Sequence, residues 1–215
     1  MSQTASIHMG HGQMVDIVAL AGDKWDIVFS EAGVENYKAP PLVEVEADAI
    51  DQAGRIHPLK ISAGDSVSSV RASGHVAGAY RVRMRVLHGD HFHTRESLLP
   101  GASAIAPKAG ARGGAQAELG DGKTIEIKSL SPTHWELLFS SGGVVATPPA
   151  AGEVVVQAIG PRAEDYQIRN LTTSAASDGK SLIASGKIKD ATHARVTIKS
   201  NGAELIRSFP IIPAA

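Results

Sequence analysis

The sequence predicts an all-β chain made of two tandem antiparallel β-sandwich domains related by internal duplication. Short apolar runs alternate with polar residues at period two, which is strand patterning, and 22 glycines cut them into short segments. No long stretch keeps the 3.6-residue period of a helix. The first half then recurs in the second. Met14 to Gly33, MVDIVALAGDKWDIVFSEAG, matches Thr124 to Gly143, TIEIKSLSPTHWELLFSSGG, with Trp25, Phe29 and Gly33 answering to Trp135, Phe139 and Gly143 at one constant offset.

Taken in order, residues 1–13 are small and polar, hold His8, Met9 and His11, and are expected to form a flexible arm. The first sandwich spans 14–99. Met14–Leu20 and Trp25–Phe29 make a hairpin across Gly22-Asp23, and Glu31–Lys38 is a loop closed by Pro40-Pro41. Leu42–Ala49, LVEVEADA, alternates well enough to be a strand. Asp51–Gly54 turns the chain into a strand over Arg55–Ile61, and Gly64-Asp65 leads into another within Ser66–Val76. Tyr80–Val86, YRVRMRV, sets bulky apolar against basic residues. His88-Gly89-Asp90 is turn chemistry, and His91-Phe92-His93 opens the return strand.

Residues 100–114, PGASAIAPKAGARGG, are small, proline-spaced and without apolar period, so they read as a linker. The second sandwich follows over 115–215. In it Pro148-Pro149 answer to Pro40-Pro41, Val156-Gln157-Ala158 to Val45-Glu46-Ala47, Ala184-Ser185-Gly186 to Ala72-Ser73-Gly74, Arg195-Val196 to Arg81-Val82, and Asn201-Gly202 to His88-Gly89. Roughly seven short strands in about 100 residues per copy is the size of an immunoglobulin-like domain. Trp25 and Trp135, each flanked by residues of period two, are expected to anchor the two cores.

Composition excludes several functions. The chain holds 21 basic against 22 acidic residues, which is not the field of a nucleic-acid binder. No apolar run is long enough for a membrane span. The N-terminus as written has no basic segment followed by an apolar one, so the chain is expected in the cytoplasm or as an exported form with its signal removed. Absence of cysteine rules out disulfides, thiolate metal sites and cysteine nucleophiles. No nucleophile elbow, P-loop, dinucleotide fingerprint or H-E-x-x-H helix is present, and the chain is expected not to be an enzyme.

What chemistry remains lies in the histidines. His91 and His93, two apart on one strand, point to one face, and His88 stands across the turn. Three imidazoles near one hairpin tip suit copper or zinc, with Asp90 and Glu96 as further oxygen donors. His8 and His11 of the arm are candidate additional ligands, and the Met9 and Met14 thioethers would suit Cu(I). The matching hairpin of the second copy, SNGAELI, has none of these histidines, so they are not needed to make the turn. His57, His75, His134 and His193 are isolated in sequence and read as surface or hydrogen-bonded residues. Arg81, Arg83 and Arg85 read as a solvated sheet face. The competing function is a structural or protein-interaction module without metal.

The segments His8-Met9-Gly10-His11-Gly12-Gln13 and Ala77-Gly78-Ala79-Tyr80-Arg81-Val82-Arg83, with His88-Gly89-Asp90 closing the hairpin, resemble small exported bacterial β-sandwich modules. Those modules occur near or fused to the periplasmic adaptors of heavy-metal efflux systems and are related to FixH/YtkA-like immunoglobulin-like domains. Gly114–Gly122 is similar to a histidine-free second copy of the first segment. The resemblance implies periplasmic or otherwise exported metal handling without catalysis, with an efflux adaptor or another protein as partner.

Overall fold

The computed structural model describes residues 4–99, 101–160 and 168–213. In chain order the strands are β1 (Thr4–Gly10), β2 (Gln13–Leu20), β3 (Lys24–Glu31), β4 (Val45–Asp51), β5 (Ile56–Pro58), β6 (Lys60–Ala63), β7 (Ser69–Ser73), β8 (Ala79–His88) and β9 (His91–Leu98). They continue with β10 (Ala115–Gly120), β11 (Lys123–Ser131), β12 (His134–Ser141), β13 (Val144–Val145), β14 (Val154–Ile159), β15 (Ile168–Ala175), β16 (Leu182–Ser185), β17 (His193–Ser200) and β18 (Ala203–Pro210). The fold is all-β with antiparallel pairing. Among the described residues the only helical pieces are the 3-10 turns Leu42–Glu44 and Ala151–Glu153, and no helix is long and apolar enough to cross a membrane. The chain divides between Ala104 and Ile105 into two compact units, with Ala53–Arg55 grouped with the second.

In the first unit one sheet is ordered β1-β2-β3-β7-β6 and the other β5-β4-β8-β9. Alternation places Ile7, Val15, Ile17, Trp25, Ile27, Phe29, Val70 and Ala72 on the inner face of one sheet. Val45, Ala47, Ala49, Val82, Met84 and Val86 on the other complete a single core. Fully burying each of the larger aliphatic side chains stabilises by about 1.5–3 kcal/mol. The second unit builds the corresponding core around Trp135, Ile125, Ile127, Leu137, Val156 and Val196.

Several expectations need correction. The flexible arm is replaced over Thr4–Gly10 by β1, paired with β2 through Thr4↔Val18, Ile7↔Val15 and His8↔Met14. Ile7 and Met9 alternate with Ser6 and His8, so two apolar side chains reach the core from a stretch that otherwise reads as polar. Residues 1–3 of the expected arm lie outside the described residues. Leu42–Glu44 is a 3-10 turn, and the strand begins at Val45. The single strand over Arg55–Ile61 is two: β5 pairs with β4, β6 pairs with β7, and between them the Leu59 N–H donates to Ala47 O. The break follows Pro58, which has no N–H to offer a ladder. Only Ser69–Ser73 of Ser66–Val76 is strand. The linker is already engaged at its end, where Ala109 bridges Ala115 and Gln116 N–H donates to Lys108 O; Pro100 lies outside the described residues.

In the second unit the strand equivalent to β5 and β6 is unbroken. β15 pairs with β14 over Ile168–Leu171 and with β16 over Thr172–Ala175, so one strand serves both sheets. The two units also repeat in detail. Leu59 and Leu171 both point inward beneath a glycine in positive φ. A Cβ on Gly74 would stand 3.1 Å from Leu59 Cδ2, and one on Gly186 would stand 2.8 Å from Leu171 Cδ2. The register corrects the correspondence drawn from residue identity. Both last hairpins have two-residue loops, His88↔His91 and Ser200↔Ala203, so Arg83 rather than Arg81 occupies the place of Arg195. The strand that follows each 3-10 turn starts at Val45 and Val154, so Val45 matches Val154 rather than Val156.

Candidate functional site

Two turns form the site. The β8–β9 hairpin closes over Gly89-Asp90, where Gly89 takes φ 64°, a left-handed conformation that suits the tight turn. The β1–β2 turn runs through Gly10, His11 and Gly12 with φ of 113°, 49° and 81°. Glycine at position 10 also makes room for the hairpin, since a Cβ there would lie 3.3 Å from His93 Nδ1.

The structure brings His88, His91 and His93 together and adds His11. Ring centroids are 5.0 Å apart for His91–His93, 5.3 Å for His88–His93, 6.3 Å for His88–His91, 5.5 Å for His11–His88 and 5.6 Å for His11–His93. His93 Nδ1 lies 2.9 Å from the Met9 carbonyl, and His91 Nδ1 lies 3.0 Å from Asp90 Oδ1. A carbonyl and an ionised carboxylate only accept, so both Nδ1 atoms must donate. His91 holds the Asp90 carboxyl below its ordinary pKa, chiefly through this hydrogen bond. In a neutral ring Nε2 then presents a lone pair, and the two Nε2 atoms face each other at 3.1 Å. Two lone pairs at that distance repel unless a proton or a cation lies between them. Two imidazole nitrogens each about 2.0–2.1 Å from one ion stand about 3.1 Å apart when the angle at the ion is near 100°.

His91 and His93 therefore stand with their Nε2 atoms toward one point between them. Among the described residues, no group of three or more His, Asp or Glu side chains already converges at ligand distance. His88 and His11 stand beside the pair, their ring centroids 5.3 and 5.6 Å from that of His93. The remaining expected donors fall elsewhere. His8 is exposed on the face of β1 opposite to Ile7 and Met9 and makes no ring contact with the four. Met9 is 1% exposed with its side chain in the core, and Met14 pairs with His8 across β1–β2. Glu96 is buried and ion-paired with Arg81 at 2.8 Å.

That ion pair corrects the reading of the arginine stripe as a solvated face. Arg83 pairs with Asp48 at 3.3 Å, Arg85 pairs with Glu46, and the Arg85 guanidinium lies 4.3 Å over the Phe92 ring. Burial lowers the pKa of Arg81 and Arg83, and carboxylate Asp48 offsets part of this at Arg83. Another grouping was not legible in sequence. His57 Nε2 is 3.0 Å from Asp51 Oδ2, and its ring centroid is 4.6 Å from that of His75. His134 lies against Ser131 and Thr133, and His193 against Thr192, as hydrogen-bonded histidines are expected to.

The second unit has the same two turns without the imidazoles. Gly120, Asp121 and Gly122 take φ of 101°, 52° and 69°, so Asp121 holds the backbone place of His11. Ser200, Ala203 and Leu205 hold the hairpin places of His88, His91 and His93. A cleft of about 520 Å³ opens there, with Asp121, Ser200, Ala203 and Leu205 in its wall.

No protein-family model and no curated protein matches the chain. Among solved structures it is similar to a chain described as a marsupial T cell receptor. The identity is 9%, with 97% of this chain and 96% of that one covered, at a TM-score of 0.23. A superposition that loose carries no argument about function.

Proposed function

We propose that this chain is a duplicated pair of immunoglobulin-like sandwiches whose first copy binds a transition metal without catalysing a reaction. The ion is Cu(II) or Zn(II), held in an exported protein that sequesters it or passes it to a partner such as an efflux adaptor. One observation carries this reading: two Nε2 atoms 3.1 Å apart, each with its Nδ1 already committed to an acceptor. A metal-bound histidine usually donates its other ring N–H to a carboxylate or carbonyl, which fixes the ring and its tautomer. The donor set is imidazole, which suits Cu(II) and Zn(II). The burial of Met9 takes away one of the two thioethers that favoured Cu(I), and Met14 lies opposite His8 on the β1–β2 ladder. Duplication is supported by the shared hairpin register, the paired 3-10 turns, and Leu59 and Leu171 beneath Gly74 and Gly186.

His91 and His93 would supply the fixed nitrogens, His88 and His11 would complete the coordination, and Asp90 would orient His91. Calorimetric titration of Zn(II) or Cu(II) into the wild type and a His88/His91/His93→Ala triple variant tests this. Losing an outer-shell partner alone costs about 10–100-fold in affinity, so losing three ligands is expected to cost more than about a hundredfold. Equal stoichiometry and affinity in the two proteins would end the proposal. A protein partner whose capture is unaffected by a chelator would favour the interaction-module reading.

A further inference from the structure

We infer that a metal ion at this site fastens the two sheets of the first unit to each other, making the docking of the N-terminal strand ion-dependent. The inference rests on the metal-binding reading above and adds a consequence for the fold. β1 is the edge of one sheet and β9 the edge of the other, and among the described residues no backbone ladder joins them. Inward anchoring of β1 comes from Ile7 and Met9, while Thr4, Ser6 and His8 point outward. An edge strand with two anchors sits at the low-stability end of a fold. One bond across this seam runs from His93 Nδ1–H to Met9 O at 2.9 Å.

The four imidazoles lie on both sides of the seam. His11 is carried by the turn that leaves β1, and His88, His91 and His93 by the hairpin that enters β9. An ion that takes His11 together with any hairpin histidine ties the β1–β2 turn to the β8–β9 hairpin. The second unit closes its corresponding seam with a permanent group. Arg207 of β18 donates from Nε to Glu118 O at 2.7 Å and from Nη2 to Leu119 O at 3.3 Å on β10. By register Arg95 of β9 holds the place of Arg207 in the first unit, and the imidazoles add a conditional fastener to that seam that the second unit lacks.

Hydrogen–deuterium exchange on the full chain, with and without Zn(II), tests the inference. Zinc is expected to slow exchange of peptides covering 4–10 and 91–98 by about tenfold or more, the size of a modest change in local opening. Peptides covering 115–120 and 203–210 serve as the reference and should not change. His11→Asn keeps a residue that tolerates positive φ but removes the donor on the β1 side. Zinc is expected to bind this variant more weakly, through the hairpin histidines alone, and at zinc concentrations that saturate it the slowing at 4–10 should be lost. Zinc binding to wild type without slowing, or equal slowing in His11→Asn, overturns the fastener and leaves the metal site standing. Absence of any zinc binding overturns both.

Discussion

Trp135→Ala is expected to destabilise the second unit by about 3–5 kcal/mol, the range for truncating a large buried aromatic. The ring is fully buried and packs within the cluster that includes Ile125, Ile127, Leu137 and Val196, so its removal leaves a void that neighbouring strands cannot collapse to fill. In a domain of about 100 residues each kcal/mol moves Tm by about 4–8 °C. The loss should therefore appear as a shift of tens of degrees in calorimetry, or as a unit that fails to fold. Trp135→Phe should cost much less. It keeps an aromatic ring and discards an indole N–H that has no hydrogen-bond partner among the described residues. In both variants Trp25 remains the sole tryptophan, so its emission follows the first unit while far-UV dichroism follows both. A change of under about 1 kcal/mol for the alanine variant would mean that the ring is not the packing centre of its unit.

Glu96→Gln is expected to cost about 3–5 kcal/mol, because it leaves the Arg81 charge buried without its counter-charge. The Arg81 side chain is 5% exposed and the Glu96 side chain 0%, so water cannot take over the role of the carboxylate. Breaking such a pair and replacing it are different experiments. An Arg81→Met/Glu96→Leu double variant removes both desolvation costs and should recover most of the loss or exceed the wild type. The two urea curves decide the point. A single variant as stable as the wild type would show that the pair contributes nothing to the fold. Because the pair is buried, raising the salt concentration should change these differences little.

These two residues also illustrate what was legible in the sequence. Alternation in Tyr80–Val86 gives both the strand and its faces directly, since side chains of period two must part to opposite sides. It says nothing of Glu46, Asp48 and Glu96, which reach the arginines from neighbouring strands. The same holds for the candidate site. Period two places His91 beside His93, and the turn brings His88 near, but His11 joins them only because β1 docks. That docking depends on Ile7 and Met9, two apolar residues too few to stand out in a polar stretch. His57, His75 and Asp51 meet through pairing between segments that share no local pattern. The likeness of the two halves is legible in the sequence, yet residue identity pairs Arg81-Val82 with Arg195-Val196, two residues off the hairpin register. A period-two pattern resembles itself at every even shift, so hydrogen-bond register rather than residue identity sets the correspondence.

The second unit's turns, which lack the imidazoles, make the molecule its own blank. Transplanting the imidazoles through Asp121→His, Ser200→His, Ala203→His and Leu205→His puts them on a scaffold of matching backbone, at φ 52° for the first and on a two-residue loop for the rest. On the proposed metal-binding reading, if coordination depends on those four places alone, the grafted chain should take up one more equivalent of zinc than the wild type, and unchanged uptake would trace the affinity to surroundings such as the carbonyl of Met9 and the carboxylate of Asp90.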